Sequence, residues 1–160
     1  MIVLRNRGVQ HTLTFIGGFK GNEIAGLDDI SDKQGIYVAF SCKPREEGDG
    51  YECKQIVYIG KAEGTNNLRK RISEHVNDDQ AGWEENYCEE GELIVYCFAV
   101  YEENLHDIEA ALIYKNQPLA NTQNKDKYNG NEYFVSINCV GDIGNLIETC
   151  RVFKLISGGR

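Results

Sequence analysis

Two short segments, Gly35-Ile36-Tyr37 and Tyr58-Ile59-Gly60, followed at once by a basic stretch, constrain this chain more than any other feature. Side chains alternate across a strand, so Ile36, Val38 and Phe40 share one face and Tyr37 takes the other. In the second segment Val57 and Ile59 share a face, which leaves Ile56, Tyr58 and Gly60 opposite. Pairing the two as a hairpin, aliphatic side chains inward, sets Tyr37 beside Tyr58 on the outer face. Lys61, Arg69, Lys70, Arg71 and His75 follow directly. Two phenols beside a cationic helix form a candidate site for phosphate chemistry.

The remaining pattern fills in a small α/β (α+β) architecture. His11–Phe19 alternates as a strand, ended by Gly17-Gly18, and a charged, glycine-containing loop over 43–54 joins the two tyrosine strands. Leu68, Ile72, His75 and Val76 recur at helical spacing, with Thr65, Asn66 or Asn67 available as N-cap. Glu92–Tyr101 is a continuous apolar run, read as a central buried strand. Asn104 is expected to cap a helix striped by Leu105, Ile108, Ala111 and Leu112, which must end before Pro118. Glu132–Ile137 alternates as a further strand, Ile143–Lys154 reads as a closing helix, and Ser157–Arg160 as a loose tail. The order implies a mostly antiparallel central sheet flanked by helices.

At 160 residues the chain is expected to be a single domain over 1–160. No apolar run approaches bilayer length, and Met1–Arg7 lacks the long apolar stretch of a secretory signal, so a cytoplasmic location without membrane contact is the default expectation. Six cysteines occur without any Cys-x-x-Cys pair, which argues against a zinc site. Cys42 and Cys53 can face each other across the hairpin, but mostly reduced thiols are expected. A net charge of −8 argues against a protein that coats nucleic acid non-specifically, although the 61–75 stretch is locally cationic.

Individually the polar residues leave alternatives open. Arg71 and His75, four apart, project from one side of a helical turn, either to grip a phosphate and move a proton or as a solvated basic face. Glu109 lies at the edge of an apolar stripe, where a carboxylate is costly unless it binds a metal or forms a salt bridge with the first helix. Oxygen ligation of Mg²⁺ by one carboxylate, waters and a substrate phosphate would suit it. Asn121 reads as a turn former or as a hydrogen-bond donor to a phosphate or a tyrosine. Tyr37 and Tyr58 can equally be ordinary strand aromatics among nine tyrosines.

Taken together, these segments resemble the GIY-YIG nucleases found in homing, restriction and excision-repair endonucleases. The resemblance is carried by Gly35-Ile36-Tyr37, Tyr58-Ile59-Gly60-Lys61, Leu68 through His75, Glu109 within Asp-Ile-Glu-Ala-Ala-Leu-Ile, and Asn121 within Gln-Pro-Leu-Ala-Asn. Five ordered elements in fitting context are far more specific than one tripeptide. It implies a core over about 33–124, with an N-terminal strand and a C-terminal strand and helix added. It also implies hydrolysis of a phosphodiester with one divalent metal, Mg²⁺ or Mn²⁺. In that scheme Tyr37 activates the attacking water, Tyr58 helps hold the site, and Lys61 and Arg71 lower the phenol's pKa. Arg71 stabilises charge on the phosphoryl oxygens, His75 hydrogen-bonds Tyr37 or relays its proton, Glu109 holds the metal, and Asn121 supports the site.

Two departures from the family pattern stand out. The connection between the tyrosine strands is long and acidic (Glu46, Glu47, Asp49, Glu52), and Glu63–Asn66 stretches the approach to Arg71. An acidic loop beside the site is expected to narrow entry or repel duplex DNA. Arg71 is preferred over Arg69 because it stands one turn before His75. The expected partner is DNA, duplex or branched, with specificity supplied by inserted loops, a homodimer or a partner protein. The competing expectation is a catalytically weak module that binds nucleic acid or protein.

Overall fold

The computed structural model describes residues 10–21 and 28–154; the expected tail at 157–160 lies outside them. The elements are β1 (Gln10–Lys20), β2 (Gly35–Pro44), β3 (Tyr51–Ala62), α1 (Leu68–Asp78), α2 (Gln80–Tyr87), β4 (Leu93–Val100), α3 (Leu105–Asn116), β5 (Phe134–Gly141) and β6 (Thr149–Phe153). One sheet runs in the order β3-β2-β4-β1-β5-β6. All neighbours are antiparallel except β1 and β5, so the mostly antiparallel sheet flanked by helices is the observed fold. β1 does double duty: Gln10–Phe15 pair with β5, and from Ile16 the strand pairs with β4, through a bulge between Gly17 and Phe19, to Lys20. The glycines expected to end this strand bend it instead.

β2 and β3 pair as expected, but they extend further, leaving only 45–50 as the connecting loop. Its position corrects the sequence reading. Tyr37 pairs with Gly60 near one end of the hairpin, whereas Pro44 pairs with Tyr51 at the other. At ~3.3 Å per residue the acidic loop lies about 23 Å from Tyr37 along the strand, so it does not border the tyrosines. A second correction concerns the faces of β3. A bulge sets Tyr58 opposite Ala39 but Ile56 opposite Phe40, so Val57 has no partner of its own. Ile56 and Ile59 therefore join the aliphatic core with Val38 and Phe40, while Val57 and Tyr58 both turn toward Tyr37.

Both faces of the sheet are covered. α3 packs Leu105, Ile108, Ala111 and Leu112 onto a layer of Leu13, Phe15, Ile36, Val38, Phe40, Ile59 and Val95. On the other face α1 and α2 bring Leu68, Ile72 and Trp83 onto Tyr37, Ala39, Tyr96 and Phe98. The tyrosine face is thus a second core rather than an outer surface, and Tyr37 is completely buried. Cys42 and Cys53 pair across the hairpin as free thiols with their sulfurs 3.0 Å apart.

Helix boundaries follow local chemistry. Asn67 caps α1 by accepting from Lys70 N at 2.9 Å, and the Leu68 and Arg69 amides donate to the carbonyls of Lys33 and Ser31. Asn104 precedes α3 as expected, but it is left-handed (φ 48) and its side chain makes no capping bond. Gln117, also left-handed (φ 52), and Pro118 end α3. The closing helix is not formed. Gly144 (φ 55) breaks the segment, and Thr149–Phe153 alternates exposed and buried as β6, the antiparallel partner β5 needs. None of the described helices is long and apolar enough to cross a membrane.

Candidate active site

The glycines of the two short segments are required by close approach. A Cβ on Gly60 would collide with the Tyr37 hydroxyl, and one on Gly35 with the carbonyl of Ala99. Gly60 therefore lets the Tyr37 ring lie flat across its neighbouring strand. Around that phenol the rings form a continuous stack. Tyr37 and Tyr58 are 6.1 Å apart between centroids, Tyr58 and Trp83 5.3 Å, and His75 sits 4.8 Å from Tyr58 and 5.1 Å from Trp83. Burial of three aromatic rings fixes the imidazole without the aid of a loop.

His75 is the polar centre of this stack and is 7% exposed. Its Nε2 lies 2.7 Å from Tyr37 Oη, and its Nδ1 lies 2.8 Å from Asp79 Oδ2. Arg71, one turn earlier, donates to Glu74 at 2.7 Å, and its guanidinium also reaches the Tyr37 hydroxyl. Arg69 is committed elsewhere, donating to the carbonyls of Ile30 and Asp28 at 3.0 and 3.2 Å. Helical spacing thus separates the two arginines as expected: one staples the preceding chain, and the other faces the phenols.

Tyr37, Tyr58, Lys61, Arg71 and Glu109 line one cavity of about 370 Å³, joined by Glu63 and Asn66 of the stretched connection. Its lining comes from β2, β3, the connection before α1, α1 itself and α3. Lys61 pairs with Glu63 at 3.3 Å. Glu109 takes part in no salt bridge among the described residues, which removes the ion-pair alternative considered from sequence. Burial raises its carboxyl pKa, partly offset by the ammonium and main-chain N–H of Lys61. A half-buried carboxylate that faces an open cavity and makes no salt bridge among the described residues fits a Mg²⁺ site of one protein oxygen and several waters. Among the described residues no cluster of three or more His, Cys, Asp and Glu side chains forms an alternative metal cage.

Asn121 lies behind the cavity and binds neither tyrosine. Its Oδ1 accepts from Ile59 N and its Nδ2 donates to Ile59 O, both at 2.9 Å. Just before it, Leu119 and Ala120 donate to the carbonyls of Ile56 and Val57. The segment therefore pairs with the edge of β3, and the Asn121 amide carries that pairing past the bulge.

The electrostatics differ from expectation at Tyr37. Its pKa is raised: burial is the largest cause, Tyr58 adds to it, and Arg71 only partly opposes them. Burial also raises the Tyr58 pKa and lowers that of His75, while Asp79 pulls His75 the other way. The resting state at neutral pH is a neutral phenol hydrogen-bonded to a neutral imidazole.

All seven residues singled out from sequence thus occupy one region: five line the cavity, with His75 and Asn121 directly behind it. Sequence reading missed Asp79 and Trp83. Their signal was present, since Arg71, His75, Asp79 and Trp83 recur every four residues. Neither a curated protein nor a solved structure matches the chain at a significant level. The family model of the GIY-YIG catalytic domain matches residues 33–128, well over half of the chain and the whole of the cavity just described. GIY-YIG domains are characteristic of endonucleases, and by this match the chain belongs to the GIY-YIG family.

Proposed function

We propose that this protein is a divalent-metal-dependent endonuclease that hydrolyses phosphodiester bonds of DNA, acting in the cytoplasm. The observation that carries the reading is the convergence of Tyr37, Tyr58, Lys61, Arg71 and Glu109 on one cavity, with His75 hydrogen-bonded to the first phenol. Tyr37 passes its proton to His75 Nε2 and takes one from the water that attacks phosphorus. The rise in the phenol's pKa makes this transfer necessary, because free phenolate would be scarce. Arg71 and Lys61 stabilise the charge that grows on the phosphoryl oxygens. Glu109 would hold Mg²⁺ or Mn²⁺, which when bound supplies Lewis-acid stabilisation of the leaving oxygen. Tyr58 and Trp83 keep the imidazole in place, and Asn121 fixes the strand that carries Tyr58.

Purified protein incubated with supercoiled plasmid and Mg²⁺ or Mn²⁺ is expected to nick it, and chelation to stop the reaction. A second reading has its own support. Both cavity cations are paired with glutamates, Lys61 with Glu63 and Arg71 with Glu74, and the net charge is −8. These features suit a module that binds nucleic acid or protein with little turnover. Salt-sensitive binding, with no cleavage of supercoiled, single-stranded, branched or RNA substrates, would establish that module and overturn the nuclease.

A further inference from the structure

Asp79 stands where an aspartate ordinarily turns its carboxylate onto the first free amides of a helix. It immediately precedes α2, yet its side chain makes no capping hydrogen bond. The carboxylate is directed to His75 Nδ1 instead, at 2.8 Å. A local rule set aside in favour of an imidazole points to a role for that imidazole.

The donor arithmetic is restrictive. A carboxylate only accepts, so the single N–H of the neutral ring must sit on Nδ1. Nε2 then keeps its lone pair, and the only hydrogen available for the 2.7 Å contact with Tyr37 is the phenol's own. With the opposite tautomer Nε2–H would face the hydroxyl, and the phenol would have no base to receive its proton.

We propose that Asp79 is a positioning residue for phosphodiester hydrolysis: it holds His75 in the Nδ1–H form, so that Nε2 can accept the Tyr37 proton, and it stabilises the imidazolium that results. The inference rests on the reading of Tyr37 as the group that activates water. The proton moves from Tyr37 Oη to Nε2, the attacking water reprotonates Tyr37, and no bond to Asp79 is made or broken.

The other groups facing His75 do not replace Asp79. Tyr37 comes from β2, Tyr58 from β3 and Trp83 from α2, and none of them offers an anion. On α1, Arg71 opposes a positive charge on the ring, while Glu74 favours one but is bound to Arg71. Asp79 is the carboxylate within hydrogen-bond reach of Nδ1 among the described residues.

The test compares the full-length protein with Asp79→Ala and Asp79→Glu by two readouts. Imidazole ¹⁵N shifts are expected to show His75 as Nδ1–H in the wild type. Asp79→Ala should move it toward Nε2–H, and Asp79→Glu should restore part of the Nδ1–H form. Metal-dependent cleavage by Asp79→Ala should fall by about 10²-fold or more, with its acid limb shifted to lower pH because an anion beside His75 is lost. Asp79→Glu should recover part of the rate. An unchanged tautomer in Asp79→Ala overturns the proposal whatever the rate, as does a changed tautomer with an unchanged rate and pH profile. A wild type that shows the Nδ1–H tautomer but cleaves nothing sinks the nuclease reading, and with it the positioning role, while the hydrogen-bond assignment stands. Asp79→Ala leaves the Nδ1–H of nearly buried His75 without its acceptor, so it is expected to melt somewhat below the wild type, and rates are compared at temperatures where both variants are folded.

Discussion

The two faces of the sheet solve the same burial problem with different chemistry. Under α3 the layer is mainly aliphatic, with Leu13, Ile36, Val38, Ile59, Ile108 and Leu112 all fully buried beside Phe15, Phe40, Tyr128 and four cysteines. Such a layer depends chiefly on shape and volume. Under α1 and α2 the layer holds Tyr37, Tyr96, His75 and Gln80, each buried and each hydrogen-bonded: Tyr37 to His75, and Tyr96 to Gln80 at 3.0 Å. Buried polar groups are costly unless satisfied, so this face depends on fixed hydrogen-bond geometry more than the other, where Asp107 accepts from the main chain of Asn131 and Glu132. The comparison teaches where chemistry can reside in so small a domain. Tyr37, Tyr58 and Arg71 reach the cavity from the hydrogen-bonded face, while Glu109 reaches it from α3 over the aliphatic one.

That contrast can be broken or sharpened by experiment. The largest effect is expected from Glu109→Ala, which should reduce Mg²⁺-dependent plasmid nicking to background with the circular dichroism spectrum unchanged. Intact cleavage would show that the carboxylate from the α3 side is not part of the site. Tyr37→Phe keeps the ring and removes the hydroxyl; its rate should fall by about 10²–10⁴-fold, measured against the same plasmid. A loss of folding instead of rate would mean that the polar face is architectural first.

Ile108→Ala should do the reverse, lowering unfolding stability by about 2–5 kcal/mol in urea titrations, while the folded fraction retains its cleavage rate. Asn121→Ala sits between the two, because it strips both main-chain partners from Ile59. A loss of about 1–3 kcal/mol is expected, with a lower rate as Tyr58 loosens.

The smallest effect is a pH dependence of stability. Burial holds the folded His75 pKa below its ordinary 6.5. Below about pH 6.5 the unfolded chain therefore binds a proton that the folded chain refuses. Stability should drop as pH falls through the window between 6.5 and the lower folded value. Urea midpoints for wild type and His75→Gln should diverge there, with the variant losing less; parallel curves would remove burial as the force that keeps the ring neutral.

Much of this was legible in the chain because periodicity and spacing are local. Alternation placed Tyr37 against Ile36 and Val38, and the interval from Arg71 to His75 singled out the arginine that lines the cavity rather than Arg69. What failed was non-local or depended on a single residue. The bulge at Val57 shifts every later side chain of β3 by one face, and nothing in the apolar run announces it. The closing helix over 143–154 failed because Leu146 and Ile147 imitate helical spacing, while the demand of β5 for a partner is visible only once the sheet exists. The acidic loop was adjacent to the site in chain order but not in space. Asp79 was overlooked because α1 ends beside it, although the four-residue interval continues across the break.

The amide of Asn121 has one further consequence. An unpaired strand margin invites recruitment of a neighbouring molecule's backbone, and with it fibre growth. Here a side chain imitates a peptide unit at Ile59, directly after two genuine peptide units at Ile56 and Val57. The margin nearest the cavity is thereby sealed against intruding chains, yet the seal ends before Lys61. Between Ile56 and Ile59 a foreign polypeptide finds no ladder left to extend.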